Sequence, residues 1–485
     1  MAPVTAAIVA VLFAALGLLI NRYLRAYMRF RKMELAIPGP PSVPVLGNAL
    51  DFIGVKDTEM LSKILELVGD RHELSRVALL TNLVVFVNCA EDMEQVIKRK
   101  EFSDKAKLFY ELFHTIAKRS VPLLNGEDWK MHRRALTPGF HKDVLDRFVD
   151  TFNQETKGFV KRVEPNIVCE PIDNMFRVGS RVFAKTMLTD EMDAEFESLI
   201  VSILRFSKVL LRDMNQRQMN PLLWPDFIYK RTATAKEVQH WKGVIDQATQ
   251  SFLDQIRASL LDKDNKYPMT DEEIADEVKV FFGASVESTI AAQNIMLKIL
   301  SLRQDIQEKI HAELTEVFGG TYRDVRPHDL SELHYTTRVI SEVLRLYPSF
   351  PFVARQVYEE TSINGYKLPG GTTVVLNIMG THRDPKHWEN PLVFDPDRFL
   401  PEKCEGRHPN AYMPFSTGPR NCIGGKYAMM NMKTFMSNVI RAFKIVPVDD
   451  GITDPCRLPI TFDISLRIIG GTWVKFVPRT DIKIE

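Results

Sequence analysis

The sequence predicts a mainly α fold with small β-sheets, carried as one large body behind an N-terminal transmembrane anchor helix. Three observations predict it: a charge-free apolar run at the N-terminus, apolar residues at helical spacing through most of the chain, and β-type runs that are few and brief. The length of 485 residues gives a prior of about three domains, but no repeat, low-complexity tract or interior linker divides the chain. The organisation expected is 1–32 for the anchor and its basic flank, 33–48 for a proline-rich hinge and 49–485 for the main body.

The anchor comes first. Val4 to Ile20 reads VTAAIVAVLFAALGLLI without a charge. At the helical rise this run spans about 26 Å, close to the roughly 27 Å hydrocarbon layer of the endoplasmic reticulum. Arg22, Arg25, Arg29, Arg31 and Lys32 follow, and no basic side chain precedes it. That asymmetry places the N-terminus in the lumen and the rest in the cytosol, as a single-pass protein of the endoplasmic reticulum membrane. A cleavable signal would carry its positive charge ahead of the apolar run. Next, Ile37-Pro-Gly-Pro-Pro-Ser-Val-Pro-Val-Leu-Gly47 ends the helix and holds the chain extended.

Helical spacing runs through 271–302, 305–317 and 330–346, with stops at Gly319-Gly320 and Tyr347-Pro348. Strand signals are confined to 82–87, 372–378 and 472–477. Apolar content of 45% supplies an ample core, and a net charge of +1 argues against a nucleic-acid partner. Five scattered cysteines with no C-x-x-C pair exclude zinc and disulfide frameworks, and no N-x-S/T sequon occurs. A reducing, cytosolic setting fits both.

The chemistry concentrates in Phe415-Ser-Thr-Gly-Pro-Arg-Asn-Cys-Ile-Gly424. Chance supplies the pattern F-x-x-G-x-R-x-C-x-G in on the order of one chain in ten thousand of this length. A thiolate on haem iron explains it. Gly418 and Gly424 let backbone pass close under a porphyrin, and backbone N–H groups tune the sulfur of Cys422. Arg420 offers a cation to a propionate, and Phe415 shields the thiolate. A helix starting just beyond would favour the thiolate through its dipole.

This decapeptide resembles the haem-binding loop of the cytochromes P-450, the haem-thiolate monooxygenases, and the resemblance extends from about residue 38 to the C-terminus. It implies a single large P-450-like domain, with Cys422 as metal ligand and haem b as cofactor. Trp129-Lys-Met-His-Arg133 matches the family's W-x-x-x-R, whose two side chains contact a propionate; Arg355 matches a third propionate cation. Glu342-Val-Leu-Arg345 and Arg398 match a buried charge network that supports the ligand loop. Ala284, Ser285, Glu287, Ser288 and Thr289 fall on the oxygen-side helix, where the usual pattern is A/G-G-x-D/E-T-T. Glu287, Ser288 and Thr289 are the implied catalytic residues, since oxygen activation needs delivered protons. Ser285 and Ser288 depart from the usual glycine and threonine.

The segment 129–141, His382-Arg-Asp-Pro385 and the cysteine loop are similar to the animal microsomal branch that includes fatty-acid ω-hydroxylases, family four. Many members carry a glutamate where Ala284 stands and esterify the haem; alanine implies haem that is not covalently attached. Substrate lining by position falls to 109–124, 205–223, Phe281, Phe282, Val353 and Phe462, mostly apolar. The implied reaction inserts one oxygen atom into a lipophilic substrate (a fatty acid, steroid, terpenoid or xenobiotic), with electrons from an NADPH-cytochrome reductase and also cytochrome b5. Lys130, Arg134, Lys426, Lys433 and Arg441 would form a positive docking face for the donor. Two other readings stay open: a haem-thiolate isomerase or dehydratase working without dioxygen, and a non-enzymatic haem-bound carrier or sensor of hydrophobic ligands. Turnover without NADPH marks the first, and ligand binding without product marks the second.

Overall fold

The computed structural model describes residues 2–69, 73–80, 82–188, 209–210, 213, 223, 226–251 and 269–480. Its first helix, Ala2–Ala36, continues through the start of the expected hinge and stops ahead of Ile37-Pro38. Proline lacks an N–H to donate and disfavours helical backbone in the residue before it. The helix end is tied to the body: Arg31 donates to Glu34 and Ser42, and Arg76 lies 3.3 Å from the buried Glu34. Among the described residues no helix is long and apolar enough to cross a membrane. The side chains of residues 1–11, which include the first part of the charge-free run, lie outside the described residues.

The strands are β1 (Leu74–Leu79), β2 (Asn82–Val87), β3 (Val168–Cys169), β4 (Phe352–Gln356), β5 (Thr361–Ile363), β6 (Tyr366–Leu368), β7 (Thr373–Asn377), β8 (Phe443–Pro447), β9 (Ile460–Phe462), β10 (Leu466–Ile468) and β11 (Val474–Pro478). They form a sheet ordered β1-β2-β7-β4, a second ordered β3-β11-β8, and the ribbons β9-β10 and β5-β6. In the first, β2 runs parallel to β7 with Val85 opposite Val374, while β4 is antiparallel and sets Arg355 against Val374. The three runs expected from sequence correspond to β2, β7 and β11. Of the others, β3, β5, β6, β9 and β10 are two or three residues long, too short to display a period of their own.

The central helix, Asp271–Leu302, opens on a capping box in which Thr270 Oγ1 accepts from Glu273 N and the Glu273 carboxylate accepts from Thr270 N. Its C-terminal half is buried on every side and threads the main apolar core, as expected for a helix apolar all round. The next helix, Gln304–Phe318, ends at Gly319 with φ +64, a left-handed cap. The segment 330–346, expected as one helix, is two: Asp329–Glu332 and His334–Leu346. The physical reason is Glu313, whose carboxylate accepts from Tyr335 N, Thr336 N and Thr336 Oγ1. It caps a fresh N-terminus there.

Candidate active site

Residues 415–424 close on themselves: Cys422 N donates to Phe415 O at 2.9 Å and Asn421 N to Gly418 O at 3.1 Å. Gly418 has φ +75, and a Cβ there would stand 2.5 Å from Ile97 Cγ2, so both backbone and space require glycine. At Gly424 a Cβ would point into the room beside Cys422 Sγ, 4.0 Å away. A Cβ on Gly425 would meet the Phe415 ring at 3.3 Å; Gly425, which the motif reading passed over, lets that ring lie against the helix start. The helix Gly425–Ala442 begins directly after the loop with its N-terminus toward the cysteine. Cys422 has exposed surface, yet burial is the largest influence on its thiol and pushes its pKa up. The two agree for a sulfur lining an internal recess. The Gly424 N–H, Arg133 and Lys105 pull the other way.

Cations converge on this recess. Arg420 is buried, stacks 4.4 Å over the Trp129 ring, and donates Nη2 to Leu124 O and Asn125 Oδ1; its Nε and Nη1 are sealed from solvent without a partner. Arg355 is buried and bonds only to the neighbouring Ala354 O among the described residues. Arg133, on the helix Gly126–Leu136, donates Nη1 and Nη2 to Asn421, both at 2.8 Å, and so clasps the cysteine loop. Lys105 was not legible as a member. An isolated bridge brings it beside Arg355, and its Nζ donates to Tyr110 Oη at 3.1 Å. Burial, then Arg355 and Arg420, drive the Lys105 pKa well down, while burial and the neighbouring Arg355 bring Arg420 to about 10.

Among the described residues no carboxylate pairs with these four cations. A flat group bearing two carboxylates and an iron atom fits the set: the orphaned Arg420 nitrogens and Lys105 meet the carboxylates, Cys422 the metal, and Gly424 the close approach. Replacing Lys105 with Met keeps the stem and removes the charge. Loss of one charge-assisted contact should weaken haem retention by about tenfold, measured as haem transfer to apomyoglobin.

The oxygen-side residues take different orientations. Gly283 and Ala284 are exposed midway along the central helix, which is otherwise largely enclosed. Phe281 stacks 5.8 Å from Phe140, whose ring would also touch a Cβ at Gly424, so this face looks toward the cysteine loop. Ser288 Oγ donates to Ala284 O at 2.6 Å, and Ser285 Oγ to Phe282 O. Thr289 is buried and its hydroxyl has no partner among the described residues. Glu287 accepts from Ser465 Oγ at 2.9 Å; burial raises its pKa, with the Ser465 hydroxyl opposing.

Phe282 is half-buried, its ring edge-on against Phe183 at 5.3 Å and Phe176 at 6.3 Å. One expectation needs correction. Arg441 is no surface charge: it is fully buried, donates to Thr321 O and Arg323 O, and lies 4.0 Å over Phe318. A guanidinium satisfied by carbonyls and an aromatic face can be buried where an exposed role was expected. Lys433 is half-buried on Leu330 O, and Lys130 pairs with Glu127. Only Arg134 and Lys426 of that set remain exposed without such ties. Phe462 and Phe352 meet at 5.7 Å and Val353 is half-buried. Of 205–223, all but 209–210, 213 and 223 lie outside the described residues.

Beneath the loop, Glu342 and Arg345 form a fully buried two-bond pair at 2.6 and 2.8 Å, with Arg398 3.4 Å from Glu342. Arg345 also donates to His382 O and Pro391 O, and Asp395 N donates to Glu342.

Comparison with known proteins gives one consistent answer. The family described as Cytochrome P450 matches residues 37–466. The chain is 30% identical over 481 residues to probable cytochrome P450 4aa1 of Drosophila melanogaster, covering 94% of this chain and 92% of the relative. It is 29% identical to cytochrome P450 4V2 of Rattus norvegicus, covering 98% and 96%. Among solved structures it resembles the retinoic-acid-bound cyanobacterial CYP120A1 with a TM-score of 0.76 and 19% identity, over 91% of this chain and 100% of that one.

Proposed function

We propose, since this chain belongs to the cytochrome P450 family, that it oxidises a lipophilic substrate at the endoplasmic reticulum membrane. Within that family it is a haem-thiolate monooxygenase of the family-four branch, with haem b and with NADPH as electron source. The observation that carries the assignment to this site is the convergence of Cys422 with Lys105, Arg355 and Arg420 on one recess. The substrate class follows from the lining: Phe281, Phe352 and Phe462 offer apolar surface, and such surface selects apolar ligands. An NADPH-cytochrome reductase, with cytochrome b5 as a second donor, would dock on the cysteine-loop side near Arg134 and Lys426.

The chain's own residues divide the work. When bound, the haem supplies an iron that activates dioxygen, and thiolate ligation favours O–O cleavage. Cys422 would supply the thiolate, and Lys105, Arg355 and Arg420 would hold the propionates, with Trp129 stacked beneath Arg420. Arg133 fixes the loop through Asn421. Thr289 keeps an uncommitted hydroxyl. Glu287, with its pKa raised by burial, holds a proton more readily than a carboxyl in water and passes it toward Ser288. Apolar walls keep bulk water from the reacting carbon. A screen of fatty acids, steroids, terpenoids and xenobiotics by substrate-induced spectral shift, followed by product analysis with reductase, tests the reading. A chain that turns over only without NADPH, or binds ligands and forms no product, overturns it.

The membrane assignment rests on the charge-free run and its basic flank. Deleting residues 2–24 should release the protein from membranes at high salt while leaving haem content unchanged, measured by sedimentation and haem absorbance. That boundary spares Arg31, which holds Glu34 and Ser42. Continued sedimentation of the truncated protein would show that the body itself binds the bilayer.

A further inference from the structure

A closed ring of hydrogen bonds joins the central helix to the β9–β10 hairpin. Ser465 Oγ donates to Glu287 Oε1 at 2.9 Å. The next residue, Leu466, donates its N–H to Ser349 O at 2.9 Å. Ser349 Oγ in turn donates to Ser288 O at 2.8 Å, which returns to the residue after Glu287. The far side of the same helical turn is also fixed. Val286 and Ile290 press on Gly179 of the helix Ile172–Met187, where an added Cβ would stand 3.2 and 3.1 Å from them. The helix therefore cannot rotate to re-aim Glu287.

Ser465 is buried within the turn 463–465, and the rim of that turn carries Asp463 and Arg467, paired at 2.7 Å. These two are the charged groups that act on Glu287, in opposite senses. Glu287 Oε2 makes no hydrogen bond among the described residues.

We propose that Ser465 is a positioning residue for oxygen activation: it holds Glu287 turned toward the 463–465 turn, so that the carboxyl takes up its proton at Oε2 from water entering there. The inference rests on the reading that Glu287 and Ser288 deliver protons. A hydroxyl donated to Oε1 fixes the side chain and stabilises the carboxylate, while burial favours the protonated form. The two influences oppose, so the group can be loaded and unloaded in each cycle. Each proton leaving Glu287 toward the helix is replaced by one from bulk water, and Ser465 keeps its own.

The test uses haem-loaded full-length protein in three variants: Ser465→Ala, Ser465→Thr and Glu287→Gln. Infrared spectra identify the Glu287 carboxyl as the band lost in Glu287→Gln, and its pH titration is followed. The titration midpoint should rise by about one pH unit in Ser465→Ala, because a donor to the carboxylate is lost, and should return in Ser465→Thr. With reductase and NADPH, peroxide released per NADPH consumed should rise severalfold in Ser465→Ala and Glu287→Gln, and stay at the parent value in Ser465→Thr. An unmoved midpoint and unchanged peroxide in Ser465→Ala, beside a rise in Glu287→Gln, would overturn the role of Ser465 and leave the proton reading standing. No rise in either variant would overturn both. If Ser465→Ala does not fold, Ser465→Cys replaces it, as a near-isosteric weak donor with the same expected directions.

Discussion

Cys422→Ser protein will lose the far red-shifted Soret band of the reduced carbon monoxide complex while keeping its fold. The second half of that expectation follows from the loop's construction. Its closure uses the backbone bonds Cys422 N to Phe415 O and Asn421 N to Gly418 O, and serine retains both. Arg133 continues to hold Asn421. What disappears is the sulfur that the Gly424 N–H, Arg133 and Lys105 favour as thiolate against the cost of burial. A serine hydroxyl ionises only at far higher pH than a thiol and does not replace it. Reduced carbon monoxide spectra and far-ultraviolet circular dichroism check the two halves separately. An unchanged band would remove Cys422 as ligand and with it the placement of the site.

Glu342→Ala will do greater damage to the whole molecule. Glu342 and Arg345 are both fully buried, and the carboxylate accepts two guanidinium bonds, the Asp395 N–H and the approach of Arg398. Its pKa is raised, burial being the largest cause and Arg345 the main opposing one. Deleting the carboxylate leaves the Arg345 charge in the interior with carbonyl partners but no counter-charge, at a cost of about 3–5 kcal/mol. Against a total stability of about 5–15 kcal/mol, that is enough to leave much of the protein without haem or aggregated at physiological temperature. Arg398→Ala should cost less, since Arg398 stands 3.4 Å from Glu342 and bonds otherwise to the Glu389 and Asn390 carbonyls. Soluble yield and midpoints of thermal unfolding rank the two variants. Equal losses would show that the pair does not act as the centre of the network.

Where residues lie in sequence decided how much could be read. The cysteine loop was legible because its glycines, arginine and cysteine fall within ten residues. The central helix was legible because its apolar residues repeat over thirty-two residues. Lys105 was not, since its membership depends on a single bridge to Arg355, two hundred and fifty residues on. Ser465 was invisible for the same reason: no local pattern marks a serine that meets Glu287 only after a hairpin folds back. Leu333 breaks a helix because a carboxylate from another helix caps the second piece. Arg441 misled because composition assigns arginine to the surface, whereas carbonyls from the 321–323 loop satisfy it inside.

The parallel pairing of β2 with β7 has a consequence for biosynthesis. Strand 82–87 pairs at once with 74–79 but finds its second neighbour only when 373–377 has been made, and loop closure over such a distance is slow. Lys105, Arg355, Arg420 and Cys422 are likewise assembled from segments more than three hundred residues apart. A nascent chain that has not reached Cys422 lacks that cysteine and one of the converging cations, so cofactor capture waits on that segment. Until 373–377 has been made, one row of amides on 82–87 is unsatisfied and exposed to misassociation.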